Sequence, residues 1–320
     1  MAARRSDVIL LLILLIACVA VPAAAAFETV YAFGDSFTDT GNTHSTTGPY
    51  SFGYVSSPPY GATFFHRSTN RYSDGRLVVD FLADRLALPG FLPPYLSPAA
   101  ANATHGVNFA VAGATAIEHE FFARNNLSVD ITPQSIMTEL AWFEAHLRRS
   151  PAAARAVGDA LFWGLPLTGC LPLTMTLARP EDRDNISCAA TVNQQSHAHN
   201  RRLQASLRRL RRQHPAAVIA YADYYAAHLA VMAAPARYGF TEPFKTCCGA
   251  GGGAYNFEIF STCGSPEVTT ACAQPAKYVN WDGVHMTEAM YRVVAGMFFQ
   301  DGRYCHPPFS TLLARRNKGN

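Results

Sequence analysis

Val30-Tyr31-Ala32-Phe33-Gly34-Asp35-Ser36 is a short run of β-branched and aromatic residues that breaks into a polar turn. Such a run predicts a buried strand that ends near Gly34. A second run, from Gly106 to Ala110, has the same character and leads into small residues up to Gly113. Open α/β sheets bind ligands just beyond the carboxyl ends of their strands, so Ser36 is a candidate nucleophile. The plainer interpretation of Gly34-Asp35-Ser36 is a turn with a helix-capping serine.

The rest of the chain alternates between helical and strand patterns. Apolar spacing predicts helices over 77–86, 132–147, 197–214 and 287–300, and strands over 160–163 and 217–221. In the second helix, Thr132 is the expected N-cap and Pro133 the first helical residue. The residues expected on its inner face are Ile136, Leu140, Phe143 and Leu147. A long surface loop is expected over 44–75. The alternation favours βαβ units, with a parallel sheet covered by helices on both faces of one domain.

The composition excludes several classes of protein. Of the 320 residues, 49% are hydrophobic and 15% charged, which excludes a disordered chain. The net charge of +3 gives no argument for nucleic acid, and the arginines of helix 197–214 are expected to form a solvated face. His197 and His199 with Cys247 and Cys248 raise the question of zinc, but no Cys-x-x-Cys or His-Glu-x-x-His spacing is present, so no metal is expected.

The first 26 residues have the layout of a secretory signal peptide. Arg4 and Arg5 precede an apolar run from Val8 to Val21, and three alanines, 24–26, suit cleavage before Phe27. An uncleaved anchor is the alternative, although the run is shorter than the ~20 residues that a bilayer needs. We therefore expect residues 27–320 to form a single secreted domain with no integral membrane association.

Secretion agrees with two further features. Outside the signal peptide the chain has seven cysteines, and an oxidising compartment favours disulfides, with one thiol left over from an odd count. Three Asn-x-Ser/Thr sequons are candidate glycosylation sites, at Asn102, Asn126 and Asn185.

A second reactive pattern lies near the other end of the chain. Trp281-Asp282-Gly283-Val284-His285 places a carboxylate three residues before a histidine. A serine hydroxyl is a poor nucleophile until a base accepts its proton, and histidine is the usual base near neutral pH. A carboxylate can orient that histidine and stabilise its charged form. The alternative is a histidine at the start of a helix with an unrelated turn aspartate.

Together these stretches resemble the plant GDSL esterase/lipases, a family of SGNH hydrolases. Residues 33–42 (FGDSFTDTGN) resemble the first block of that family, residues 107–116 (VNFAVAGATA) the second, and residues 281–289 (WDGVHMTEA) the fifth. Residues 165–172 and 247–249 are also similar to family stretches. The resemblance extends from about Val30 to Met297.

The resemblance implies a fold, a reaction and a set of site residues. The implied fold is flavodoxin-like, a five-stranded parallel sheet in a three-layer α/β/α arrangement. Ser36 is implied as nucleophile, His285 as base and Asp282 as the residue that orients it, while the backbone amides of Ser36 and Gly113 form the oxyanion hole. The implied reaction is hydrolysis of a carboxylic ester through an acyl-enzyme, without a cofactor, on a small-molecule, cell-wall or lipid ester outside the cell.

The cysteines are interpreted as structural. Cys170 is expected to pair with Cys188, and Cys247 and Cys248 with Cys263 and Cys272 in an order that the sequence leaves open. Cys305 is then the free thiol.

One family block is missing. The family has Gly-x-Asn-Asp after its third strand, where the asparagine is a further oxyanion donor, and this sequence has no such motif. Leu161-Phe162-Trp163, which resembles the start of that strand, runs directly into Gly164-Leu165-Pro166, which resembles the loop after the fourth strand. We expect a chain shortened by one βα unit, on the order of 30 residues or more, with reduced activity. The alternatives are a catalytically inactive binding or vestigial protein, and an acyltransferase that uses the same triad.

Overall fold

The computed structural model describes residues 29–47, 53–127, 132–149 and 158–316, so the expected signal peptide lies outside the described residues. The strands are β1 Val30–Ala32, β2 Gly106–Asn108, β3 Ala160–Trp163, β4 Ile219–Ala222, β5 Glu242–Thr246, β6 Tyr278–Asn280 and β7 Cys305–His306. The helices are α1 Asn42–Thr47, α2 Val78–Arg85, α3 His119–Arg124, α4 Ile136–Arg149, α5 Pro172–Leu177, α6 Ala190–Gln213, α7 Tyr224–Ala233, α8 Glu288–Phe299 and α9 Phe309–Arg316. Short 3₁₀ turns lie at Gly53–Ser56, Pro98–Asn102, Thr168–Cys170, Pro235–Tyr238 and Pro275–Lys277.

The parallel strands are divided among separate sheets. β1 pairs with β2, β3 pairs with β4, and β5 pairs with β6, all in parallel, while β7 adds an antiparallel edge to β4. In the part of the chain that the structure describes, no ladder joins β1 to β3. The five-stranded sheet implied by the resemblance is therefore interrupted between these two strands.

Side-chain alternation along the strands builds the three layers. Ala32 and Leu161 face one large core cluster, which is covered by α2, α7, α8 and α9. On the opposite face the core is split: Phe33 packs with Phe143 of α4, whereas Phe162 packs with Leu207 of α6. The alternation of side chains along a strand thus explains why β1 and β3 meet helices on both faces.

Helix α4 begins later than the sequence predicts. It starts at Ile136 rather than at Thr132 and Pro133, and the hydroxyl of Ser135 accepts a hydrogen bond from the amide of Met137. Its face also differs, because Leu140 is 39% exposed whereas Glu139 is fully buried. The pattern placed apolar residues inward, but a carboxyl group that finds a backbone donor can take an inward position as well.

Helix α6 begins earlier than predicted, at Ala190 rather than His197. Its N-terminal turns, both the additional ones and the first predicted one, carry buried polar residues, which an apolar pattern does not detect. Asn193 accepts a hydrogen bond from the amide of Gly169 and Asn200 one from the amide of Leu165, both through Oδ1. These two asparagines hold the loop after β3 against the helix. The predicted helices around 77–86 and 287–300 are present as α2 and α8, and Thr287 caps α8 by accepting from the amide of Met290.

Candidate active site

Ser36 lies in the tight turn that follows β1. The turn is closed by Asp35, whose carboxylate accepts a hydrogen bond from the amide of Phe37 at 2.9 Å and whose carbonyl accepts one from the amide of Thr38. Gly34 has a φ of 140°, a left-handed conformation that glycine adopts without strain. Ser36 is half-buried, at the carboxyl end of the strand.

A buried carboxylate joins this turn to the loop after β2. Asp39 accepts hydrogen bonds from the amides of Gly41 and Asn42, and also from the amide of Ala112 at 3.0 Å. The residue after Ala112 is Gly113, so the aspartate brings the two loops together. The Asn108 side chain adds a bond to the carbonyl of Thr38.

Two backbone amides at this junction have no acceptor of their own. Neither the amide of Ser36 nor that of Gly113 donates a hydrogen bond to another described residue, and both residues line the same cavity. Unpaired amides at the end of a strand are the groups that can stabilise an oxyanion.

His285 and Asp282 form a hydrogen-bonded pair. Nδ1 of His285 lies 2.8 Å from Oδ2 of Asp282, and the histidine amide donates to Oδ1 of the same carboxylate, also at 2.8 Å. An ionised carboxylate only accepts, so Nδ1 carries a proton, and Nε2 presents a lone pair whenever the imidazole is neutral. Both side chains are buried, and Nε2 has no hydrogen-bond partner. A histidine in this state can act as a general base.

Charge and hydrogen bonding keep Asp282 ionised. Burial raises the pKa of its carboxyl, but the charge of His285 and the hydrogen bonds from His285 and Tyr60 outweigh burial and lower the pKa to about 2. The Tyr60 hydroxyl donates to Oδ2 of Asp282 at 2.7 Å.

The sequence pattern does not identify Tyr60 and Tyr72 as residues of the site. Both belong to the predicted surface loop, yet Tyr60 is buried on Asp282 and the ring of Tyr72 lies 4.7 Å from the imidazole of His285, centroid to centroid. The loop has no periodic pattern. Its high tyrosine content was the available signal, since a buried tyrosine supplies an apolar ring and one polar group.

The turn with Ser36 borders the His285 pair through its next residue. The ring of Phe37 lies 5.5 Å from the imidazole of His285, centroid to centroid. No hydrogen bond joins Ser36 to His285. Catalytic hydrogen bonds are often long without substrate and tighten in the complex.

Glu139 of α4 lies behind the same turn. Its Oε2 accepts a hydrogen bond from the amide of Gly34 at 2.8 Å, while Oε1 is buried without a partner. Burial, together with the nearby charges of Asp35 and Asp39, raises the pKa of Glu139 to about 9 despite the Gly34 hydrogen bond. Apolar spacing does not select this residue, because it assigns the inner face of the helix to apolar side chains.

The remaining candidate residues are the cysteines and the sequon asparagines. The disulfides are Cys170–Cys188, Cys247–Cys272 and Cys248–Cys263, and Cys305 is a buried free cysteine. The three sequon asparagines, Asn102, Asn126 and Asn185, are exposed. Among the described residues there is no cluster of acidic, histidine and cysteine side chains that could hold a metal. None of the described helices is both long and apolar enough to cross a membrane.

Comparisons with known proteins identify similar chains. The family model described as GDSL-like Lipase/Acylhydrolase matches residues 30–138 and 120–296. GDSL esterase/lipase At3g48460 of Arabidopsis thaliana is 48% identical, over 91% of this chain and 90% of its own length. Two others from the same plant, GDSL esterase/lipase At1g28600 and At1g28590, are 34% and 35% identical over 90% and 88% of this chain.

The first of these alignments is longer than the part of this chain that it covers. It is 346 residues long, whereas 91% of this 320-residue chain is about 291 residues. At about 55 positions of this alignment, the relative therefore has a residue and this chain has a gap.

Proposed function

The chain belongs to the GDSL-like lipase/acylhydrolase family and is a hydrolase that acts on esters, and from this we propose that it works through a Ser36–His285–Asp282 triad and an acyl-enzyme. One observation carries the proposal: a buried imidazole is held by Asp282 through Nδ1 and keeps Nε2 unpaired beside the turn that bears Ser36. Such an arrangement prepares a base for a serine hydroxyl.

In the proposed reaction, Oγ of Ser36 attacks the ester carbonyl as its proton passes to Nε2 of His285. The negative charge that forms on the carbonyl oxygen is stabilised by the amides of Ser36 and Gly113. The intermediate collapses to an acyl-serine, and the alcohol leaves with the proton from His285. Water then attacks the acyl group with His285 again as base, which releases the acid and restores the serine.

The missing Gly-x-Asn-Asp block removes one oxyanion donor from this scheme. Loss of one such donor costs roughly 10²–10³ in rate where it has been tested in another hydrolase. We expect hydrolysis of p-nitrophenyl acetate to be slower by about this factor than with the Arabidopsis relative that is 48% identical. Equal rates in the two proteins would contradict the role assigned to the missing block.

Labelling with a fluorophosphonate probe tests the triad directly. The native protein should be modified at Ser36, and the variant Ser36→Ala should not react. The control variant Ser310→Ala changes a serine that is not in the proposed triad, so its labelling should equal that of the native protein. Well-folded protein that is not labelled, with folding checked by circular dichroism, would favour the alternative of an inactive binding protein.

An acyltransferase is the second alternative, because an alcohol can replace water in the deacylation step. Product analysis with a candidate acceptor alcohol separates the two: release of free acid in its presence supports the hydrolase, and the transferred ester supports the transferase.

We also propose that the protein follows the secretory route and is glycosylated. Three disulfides and three exposed sequon asparagines support an oxidising compartment. After expression in a plant secretion system, the N-terminus should begin at Phe27 and the mass should fall on treatment with an N-glycosidase. An intracellular, uncleaved product would contradict this proposal.

A further inference from the structure

A cavity of about 870 Å³ lies between β1 and β3, where the sheet is interrupted. Both strands line it along their length, from Thr29 to Ala32 on one side and from Ala160 to Trp163 on the other. Pockets that take small molecules usually have volumes of about 300–1,000 Å³. The gap in the sheet is therefore large enough for a ligand.

The strands beside the cavity are less covered than their neighbours. All four residues of β3 are partly exposed, although they are apolar and lie in the middle layer, whereas all four residues of the adjacent β4 are buried. Apolar surface left in contact with water costs about 25 cal/mol per Å² relative to burial. An apolar ligand in the gap would recover that free energy.

The walls of the cavity are mainly apolar. Helix α2 contributes Val79 and Leu82, its C-cap residue is Leu86, and helix α9 contributes Phe309 and Leu312. On the other face, the core is divided between the cluster with Phe143 and the cluster with Leu207, and no described helix fills the space between them. The apolar side chains of these walls offer dispersion contacts to a ligand.

One end of the cavity is the reaction centre. Ser36 and Gly113 belong to its lining, together with Phe37 and Val284, which lies next to the histidine of the pair. An ester carbonyl bound at the two free amides would therefore have its acyl chain beside the gap between the strands.

We propose that this cavity is an acyl-chain site, created by the interruption of the sheet, and that the protein prefers esters of long, unbranched acids. The inference rests on the proposed triad. The relative that is 48% identical has about 55 residues within the alignment that this chain lacks, so its chain-length preference can differ. An extended peptide could also bind between the two open strand edges, but peptide binding would not explain why Ser36 lies at the end of the cavity.

The preference is measured with p-nitrophenyl acetate, butyrate, octanoate, laurate and palmitate. Each methylene that enters the cavity should raise kcat/KM by up to about fourfold, the value that corresponds to the transfer of one methylene from water. In Leu161→Trp the larger ring occupies the gap, so the gain beyond butyrate should be lost while butyrate hydrolysis stays within about twofold of wild type.

Leu203→Trp is the matched control. Leu203 is also a partly buried leucine, on the inner face of α6, but it does not line the cavity. This variant should keep the wild-type chain-length profile. Equal loss of the long-chain preference in both variants would overturn the proposal, since the effect would then be a general loss of packing.

Binding is measured independently of turnover. Trp163 lines the cavity, so stearate brominated in mid-chain should quench its fluorescence, and Trp163→Phe should abolish that part of the quenching. Absence of quenching from Trp163 would overturn the proposed site.

The outcomes separate the two proposals. A protein that is labelled at Ser36 and hydrolyses acetate, but has a flat or falling profile beyond butyrate, refutes the acyl-chain site and leaves the triad intact. A protein that is neither labelled nor active refutes the triad, and the stearate measurement then decides whether the cavity binds an acyl chain.

Discussion

Individual side chains around His285 fix the orientation of its imidazole. Asp282 is the partner of Nδ1 and Tyr60 is a partner of Asp282, so the three groups form a short chain of hydrogen bonds. Each group is buried, where water cannot replace a missing partner. The effect of a substitution here should therefore depend on the bond it removes.

Asp282→Asn is expected to lower kcat by on the order of 10⁴, because the amide no longer holds the imidazole in the form with the proton on Nδ1. Stopped-flow or steady-state assays with p-nitrophenyl butyrate measure the change in kcat. A loss of less than tenfold, with the fold intact by circular dichroism, would contradict the role of Asp282.

Tyr60→Phe should have a smaller effect. Removal of one hydrogen bond to the carboxylate is expected to lower kcat/KM about tenfold, which corresponds to ~1.4 kcal/mol. Since the Tyr60 bond lowers the pKa of Asp282, its loss should move the acid limb of the pH–rate profile to higher pH. Tyr54→Phe, at a largely exposed tyrosine, is the control and should leave both quantities unchanged.

Glu139 predicts a dependence of stability on pH. The pKa of its carboxyl is about 9 in the folded protein and has an ordinary value of 4.5. The folded state thus binds the proton more tightly, so this contribution is complete below pH 4.5 and is lost as the pH rises towards 9.

Glu139→Gln should remove that dependence, because the neutral amide still accepts the hydrogen bond from Gly34. At the alkaline end of the range the variant should be more stable than wild type by at least about 1.4 kcal/mol, the equivalent of one pKa unit. Thermal melts across this pH range measure the difference. Glu144→Gln, at a side chain that is 70% exposed on the same helix, should follow the wild-type curve.

Secondary-structure elements meet the site through close backbone approaches. β1 and β2 pair at Val30 and Gly106, and Gly106 has a φ of 120°. A Cβ atom at this position would lie 1.7 Å from the carbonyl oxygen of Val30. The strand that leads to Ser36 therefore depends on a glycine in its neighbour.

Gly106→Ala should destabilise the protein by more than about 2 kcal/mol, because the backbone itself must move and the conformation is strained for alanine. Gly296→Ala is the matched substitution, since nothing lies within 4 Å of a Cβ atom there and the residue is inside α8. That variant should be stabilised by roughly 0.5–1 kcal/mol. Urea denaturation compares the two, and a similar effect of both would contradict the close approach.

At the scale of the whole molecule, covalent links hold the segments that lack regular structure. Two disulfides, Cys247–Cys272 and Cys248–Cys263, join residues in and around a long loop after β5. The third, Cys170–Cys188, closes the segment between β3 and α6. These bridges restrict the conformations of the unfolded chain.

Reduction is therefore expected to lower the melting temperature, since loss of a native disulfide typically costs about 2–5 kcal/mol. Cys305→Ala is the control because Cys305 is in no disulfide. Its melting temperature should fall under dithiothreitol by as much as that of wild type. A melting temperature that does not change on reduction would contradict a stabilising role of the bridges.

Local sequence determines the secondary-structure elements and the chemistry of single residues. β1 with its turn, α2, α8 and the Asp282–His285 spacing could be predicted because a strand, a helix or a turn is specified by residues close together in the chain. The family resemblance added the pairing of Ser36 with His285, two residues that no local rule connects.

Contacts between distant segments account for what the sequence did not reveal. The roles of Glu139 and Tyr60, the polar turns of α6 and the cavity between β1 and β3 depend on which groups burial brings together. A polar residue is accepted in the interior when a partner meets it there, and that partner comes from another part of the chain. Likewise, the missing block is an observation about the sequence, but whether the sheet closes over it is settled by packing in three dimensions.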